Sequence, residues 1–425
     1  MGLGKSSKKR NVDHSAVSKL SPFKALSSEQ MMLKEKMIAF SRRHVKQDTP
    51  ALFVLYGGAG TGKSVVLSAI FNEIQNLSKE SDTSDPLYHT DNRLIVNHAE
   101  MFKLYREIAE TLPNVKKKDI MRPTPFINQM NKSNQYAHIV LVDEAHLLLT
   151  KSDRYNRFNQ DNQLEEIIKR SRVVMIVFDD KQFLKLKSHW NKARLQDFLK
   201  RFPSEEYVMT RQFRMHADPD VSEWIRGFVH KKIRPLPKKQ TFDFRIFEDA
   251  SEMYRLIRQK NAVCGLSRMI ATYDYPYKLD GRDHFIHEKN FTLRWDRSKP
   301  HARKPWAERA ESIDEVGSVY TVQGFDLNYA GVILGPSVTY DERHDQIKIN
   351  IEKYEDQAAF SRRDDVKDLE AVKEQIILNS INVLMTRGTR GLYIYASDRK
   401  LRERLAALKR KASLEGGRGS SFPAE

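Results

Sequence analysis

Short, almost unbroken apolar runs punctuate an otherwise polar chain: ALFVLYG (51–57), RLIVNHA (93–99), HIVLVDEA (138–145) and VVMIVFDD (173–180). Runs of this length without alternation predict strands buried on both faces. Between them KSVVLSAIFNEIQNL (63–77) carries apolar residues at helical spacing, and LSSEQMMLKEKMIAF (26–40) predicts an earlier helix with Ser28 as its N-cap. Strands alternating with helices predict an α/β fold, a parallel sheet flanked by helices. After the proline-marked link IRPLPKKQ (233–240) a second set begins: AVCGLSRMIA, SVYTVQGFD, AGVILG and INVLMTRGTRGLYIYA. It predicts a second α/β unit of similar build.

The division that follows is a basic flexible tail over 1–24, a first unit over 25–235 and a second over 240–411. A polar insert (273–317) and a charged, largely helical insert (338–378) interrupt the second unit. SDRKLRERLAALKRK (397–411) predicts a basic helix, and 412–425 a disordered tail.

Composition narrows the partners. The net charge of +17 over 425 residues favours a polyanion, nucleic acid first among them. Cys264 is the single cysteine, which rules out an intramolecular disulfide and points to a reducing, cytoplasmic setting. No apolar run reaches the ~18–20 residues of a membrane span. MGLGKS at the N-terminus fits a myristoylation pattern, but a six-residue match does not make an anchor, and no membrane partner is expected.

The chemistry enters at the end of the first strand. Gly57, Gly58, Ala59, Gly60, Thr61, Gly62, Lys63 and Ser64 satisfy the Walker A pattern, with a strand before and a helix after. Backbone N–H groups and the helix N-terminus suit phosphate, with Lys63 reaching the β- and γ-phosphates and the Ser64 hydroxyl holding Mg2+. Asp143 and Glu144 follow the third strand, Asp143 to position Mg2+ and Glu144 to orient and deprotonate the attacking water. These two motifs define an NTPase using ATP and Mg2+. Asp180 and Gln182 stand where a residue can sense the γ-phosphate, and Arg211 and Arg214 (TRQFRMH) come after the next segment. Thr321, Gln323 and Gly324 are predicted at one strand end of the second unit, with Arg387 and Arg390 at the following one. Cations from a second unit would make closure depend on nucleotide.

The order of Walker A, DEAH, DDKQ, QFRM, TVQGFD and LMTRGTRG resembles superfamily 1 helicase motifs I to VI. More narrowly, QGFD…GVILG joined to N…LMTRG..G..IY resembles the Schlafen-type DNA/RNA helicase domain family, over roughly Leu26–Ala396. The resemblance implies two tandem RecA-like P-loop NTPase domains, 1A and 2A, with ATP in the cleft between them. It implies Gln182 as coupling glutamine, Arg214 and Arg387 as γ-phosphate arginines, and Gln30 as a reader of adenine. VNHAEMF occupies the place of motif Ia, so Asn97 and His98 become candidates for contact with the strand, with Thr321. Trp295 and Trp306, within LRWDRSKPHARKPWAER, resemble an aromatic-basic surface for stacking bases. DEAH alone would suggest superfamily 2, but no SAT-like or QxxGRxGR-like motif is present.

The expected function is an ATP-dependent translocase or helicase acting on single-stranded DNA or RNA. Large accessory insertions are absent or small, which leaves duplex unwinding open. The alternative is an ATP-driven conformational switch within a defence or stress complex. No nuclease motif is evident, so cleavage would have to come from a protein partner.

Overall fold

The computed structural model describes residues 20–417 apart from 59, 81, 180–181, 189, 191, 210–218, 238–240, 278–281, 297–301, 303, 362–365 and 367. Arg211, Arg214, Ala59 and Asp180 therefore lie outside the described residues.

Six parallel strands form the first sheet: β1 (Ala51–Gly57), β2 (Asn92–Val96), β3 (Ile120–Met121), β4 (Ala137–Asp143), β5 (Ser171–Phe178) and β6 (Ser204–Met209), in the order β3-β2-β4-β5-β1-β6. The predicted apolar runs are its central strands; Leu52, Phe53, Val140, Leu141 and Val174 are fully buried because helices cover both faces. The helix Lys63–Leu77 has the bounds its periodicity predicts. The first helix, Ser28–His44, is capped one residue earlier than predicted. Ser27 Oγ accepts from Gln30 N (3.3 Å), and Gln30 Oε1 accepts from Ser27 N (3.0 Å), a reciprocal capping box. Its Phe40 ring meets Phe53 of β1 edge-on at 5.5 Å.

A seven-stranded sheet forms the second layer: β7 (Asp243–Phe247), β8 (Ser267–Ala271), β9 (His284–Glu288), β10 (Phe291–Trp295), β11 (Glu315–Gly317), β12 (Leu327–Leu334) and, beyond a separate hairpin, β15 (Gly388–Ala396), in the order β7-β15-β12-β8-β11-β10-β9. Only the β9–β10 pair is antiparallel. The insert predicted over 273–317 is thus not peripheral: it supplies three strands.

Four expectations are corrected here. The stretch 338–349 is not helical but the antiparallel hairpin β13 (Val338–Asp341) and β14 (Gln346–Ile349). SVYTVQGFD does not continue a strand; β11 ends at Gly317, and Thr321 lies in a one-turn helix, Val319–Val322, capped by Ser318. The C-terminal helix runs from Arg399 through Gly417, beyond the predicted start of the tail at 412. Helix Pro219–Val229, assigned by sequence to the first unit, packs on the second: Trp224 meets Phe244 of β7 at 5.0 Å, and Lys231 pairs with Glu374 at 2.9 Å. The break between the units falls before Pro219 rather than at 235.

Candidate functional site

Strands β1, β4 and β5 end at one edge of the first sheet, where parallel sheets bind ligands. After β1 the chain turns through Gly60 and Gly62, both at φ 83, a left-handed conformation that suits glycine and aims the helix beginning at Lys63 into the turn. Lys63 Nζ donates to Gly57 O (2.5 Å) and Gly58 O (2.7 Å) and lies 3.6 Å from Asp179 Oδ2 at the end of β5. Gln182 Nε2 donates to the same Asp179 oxygen (2.5 Å). Asp179 thereby joins the Walker lysine to the proposed coupling glutamine. The sequence reading singled out its neighbour Asp180 and passed over it.

Ser64 Oγ lies 3.4 Å from Asp143 Oδ1, which also accepts from Glu144 N (3.0 Å). Tyr105 OH donates to Asp143 Oδ2 (2.8 Å) from a buried position that sequence did not flag. Burial, and then the Glu144 charge, push the Asp143 carboxyl up to about 6. Such excess buried negative charge, next to a serine hydroxyl, fits a divalent cation. Burial works against the Glu144 carboxylate too. The His146 hydrogen bond and the charges of His146 and Lys63 outweigh it and hold Glu144 down at about 2.

His146 is the link to the second sheet. Its Nε2 is 3.0 Å from Glu144 Oε2 and 3.5 Å from Gln323 Nε2. With the Nε2 hydrogen given to Glu144, His146 meets the Gln323 amide by contact rather than as an acceptor. Beside it Gly324, at φ 83, abuts Met101 of the first unit so closely that a Cβ would fall 2.6 Å from the Met101 sulfur. His98 caps helix Ala99–Ala109 by accepting from Met101 N (3.4 Å) and is hydrogen-bonded to the Tyr320 backbone; burial holds it down at about 4. Asn97 Nδ2 donates to Leu147 O (2.6 Å), tying the motif Ia position to the turn after Glu144.

Asn97, His98, Thr321 and Gln323 converge on the wall of one cleft between the two sheets, about 990 Å3 in volume. Lys63, Ser64 and Asp143 do not line it, whereas Leu147, at the end of the turn after Glu144, does.

Other expected residues are placed differently. Trp295 and Trp306 offer no stacking face: they are 0 % and 2 % exposed, and their indoles donate to Tyr275 O (3.2 Å) and Glu315 Oε2 (2.9 Å). A tryptophan among charges looks superficial in sequence, yet both indoles are enclosed, and of the neighbouring charges Arg309 is buried against Glu315 (3.4 Å). Arg387, expected at the phosphates, is fully buried and donates to Val383 O (2.8 Å) and Phe325 O (3.2 Å) of its own unit. Arg390 is exposed on β15. The Gln30 carbonyl oxygen is engaged in the capping box, away from any bidentate contact as it stands.

A glycine-rich loop, a carboxylate pair and a buried glutamine gather at the ends of parallel strands, with a second α/β sheet against them, the arrangement of a P-loop helicase-like domain. The chain belongs to the Schlafen group 3 DNA/RNA helicase domain family, whose model matches residues 50–398. It is 44% identical over 429 residues to the uncharacterized protein YPL245W of Saccharomyces cerevisiae, covering 94% of each chain. Among solved structures it is similar to the Pif1 helicase from Candida albicans (10% identity, 90% of this chain and 99% of that one, TM-score 0.34). It is also similar to AMPPCP-bound DnaA from Aquifex aeolicus (14% identity, 58% and 55%, TM-score 0.25). Likenesses that distant carry no argument about function. No helix among the described residues is long and apolar enough to cross a membrane.

Proposed function

We propose that the protein is an ATP- and Mg2+-dependent motor of the superfamily 1 type that moves on single-stranded DNA or RNA. The observation that carries this reading is His146, seated between the general-base candidate Glu144 and Gln323 of the second unit. Through it the state of the hydrolytic site and the position of the second sheet depend on each other.

Lys63 exchanges its loop carbonyls for β- and γ-phosphate oxygens, and Gln182, released from Asp179, senses the γ-phosphate. Glu144, held ionised and oriented by His146, takes a proton from the attacking water. Mg2+ held by Ser64 and Asp143 would neutralise charge on the phosphates. Arg214 and Arg387 are proposed as closing cations, Arg387 after leaving the carbonyls it now serves. Gln30 would read adenine by giving up its cap. The nucleic acid lies in the 990 Å3 cleft against Asn97, His98 and Thr321.

The deciding experiment is the ATPase rate with and without oligodeoxythymidine or oligouridine, for wild type, Lys63→Ala and Glu144→Gln. Stimulation by either strand in wild type, with both variants inactive, is expected. Hydrolysis indifferent to both strands would sink the motor, and a rate that answers to a protein partner instead would favour an ATP-driven switch.

A further inference from the structure

The cations around the cleft divide into those already neutralised and those that are not. Lys103 pairs with Glu100 (2.8 Å), Lys187 with Asp153 (3.2 Å) and Arg309 with Glu315 (3.4 Å), while Lys185 lies over the Tyr320 ring at 4.7 Å. Arg157 and Lys304 are exposed, where an unpaired charge costs little. Arg122 fits neither group. It lines the cleft and is half-buried, and its Nη1 is sealed from solvent without a hydrogen-bond partner among the described residues. No carboxylate offsets that burial, which lowers the guanidinium pKa by itself.

Its position in the chain makes the charge more costly still. Arg122 is the N-cap of helix Pro123–Ser133, and its side chain makes no capping bond. A cation at the positive end of a helix is unfavourable, and a desolvated, unpaired donor adds a second penalty. Apolar and neutral residues would serve the free protein better at this point. An anion entering the cleft would pair with the desolvated guanidinium and remove that penalty.

We propose that Arg122 anchors a backbone phosphate of the single strand in the cleft. This rests on the nucleic-acid reading of the cleft. A phosphodiester is common to DNA and RNA, so Arg122 holds either strand without reading its sequence.

The test uses the full chain and fluorescent 20-mers of oligodeoxythymidine and oligouridine, with anisotropy titrations at several salt concentrations. Melting of the free protein is measured alongside. Arg122→Gln is expected to bind both strands about 10- to 100-fold more weakly. The slope of log K against log salt should become shallower by about 0.7, one phosphate contact on a single strand. Arg122→Lys is expected to keep the slope and lose part of the affinity. The free Arg122→Gln protein should melt no earlier than wild type, since the arginine is uncompensated without a ligand. Unchanged affinity and slope in Arg122→Gln would overturn the anchor and leave the cleft reading intact. A variant that melts earlier, or does not fold, would assign Arg122 to structure and equally overturn it. Wild type that binds neither oligomer would remove the anchor together with the motor.

Discussion

Glu144 Oε2 and His146 Nε2 lie 3.0 Å apart, the imidazole is 1 % exposed, and Gln323 Nε2 stands 3.5 Å from the same ring nitrogen. The carboxylate proposed as general base is thereby held by a residue that touches the opposite unit. His146→Ala is expected to lower the strand-stimulated ATPase about 10-fold or more while leaving the Kd for ATP within about twofold. Gln323→Ala should fall less, and the double variant should resemble His146→Ala alone, since both act through one contact. Additive losses in a double-mutant cycle would place the two in separate roles.

Gly324 is confined twice over, by φ 83 and by Met101 at 2.6 Å from a built Cβ. Gly324→Ala is expected to lower stability by about 1–3 kcal/mol, through strain and overpacking together. Adding Met101→Ala should return the packing part and not the backbone part. A Gly324→Ala protein with wild-type unfolding midpoint in urea would contradict this geometry.

Trp306 gives the opposite of a stacking phenotype. Its indole donates to Glu315 Oε2 and its backbone N–H to Glu100 Oε2 (2.9 Å) of the first unit. Trp306→Phe leaves the buried Glu315 short of a donor, so a loss of about 1–3 kcal/mol in stability is expected. Affinity for single strands, measured below the melting range, should stay within about twofold. A selective loss of binding without destabilisation would restore the stacking role.

Asp296 sets a pH dependence. Burial pushes its carboxyl up to about 7 from an ordinary 3.8, against the Ser318 and Tyr273 hydrogen bonds that lower it. The folded state therefore holds a proton that the unfolded chain releases between these values. The stabilisation is complete below about pH 4 and is lost as pH rises through 7, with a slope of up to ~1.4 kcal/mol per pH unit. Asp296→Asn should flatten this part of the stability profile between about pH 4 and 7. Parallel profiles for variant and wild type would refute the assignment.

The central strands of the first sheet and the phosphate loop were legible because burial on both faces leaves continuous apolar runs and because a strand–loop–helix order is local. Lys63, Ser64, Asp143 and Glu144 accordingly meet at one sheet edge. What escaped was set by contacts distant in sequence. Nothing around Tyr105 or Asp179 tells of Asp143 and Lys63, which only the fold brings near. His146 stood inside a recognised motif, but its role depends on Gln323, 177 residues away. The hairpin at 338–349 leaves no legible mark, because its residues are densely charged and carry no clear apolar period. Trp295 and Trp306 sit in a charged stretch whose composition does not reveal that both indoles are buried with hydrogen-bond acceptors.

The placement of helix Pro219–Val229 has a mechanical meaning. β6 ends in the first sheet at Met209, and helix Pro219–Val229 already packs on the second. Among the described residues the two bodies meet in non-covalent contacts that include the Leu186 N–H on Ala359 O (2.8 Å), the Asn379 amide on Phe183 O (3.0 Å), the Trp306 N–H on Glu100 Oε2 (2.9 Å) and the cleft contacts of His98 and His146. In the motor proposed above, a movement of one sheet is felt by the other where such bonds are made and broken together.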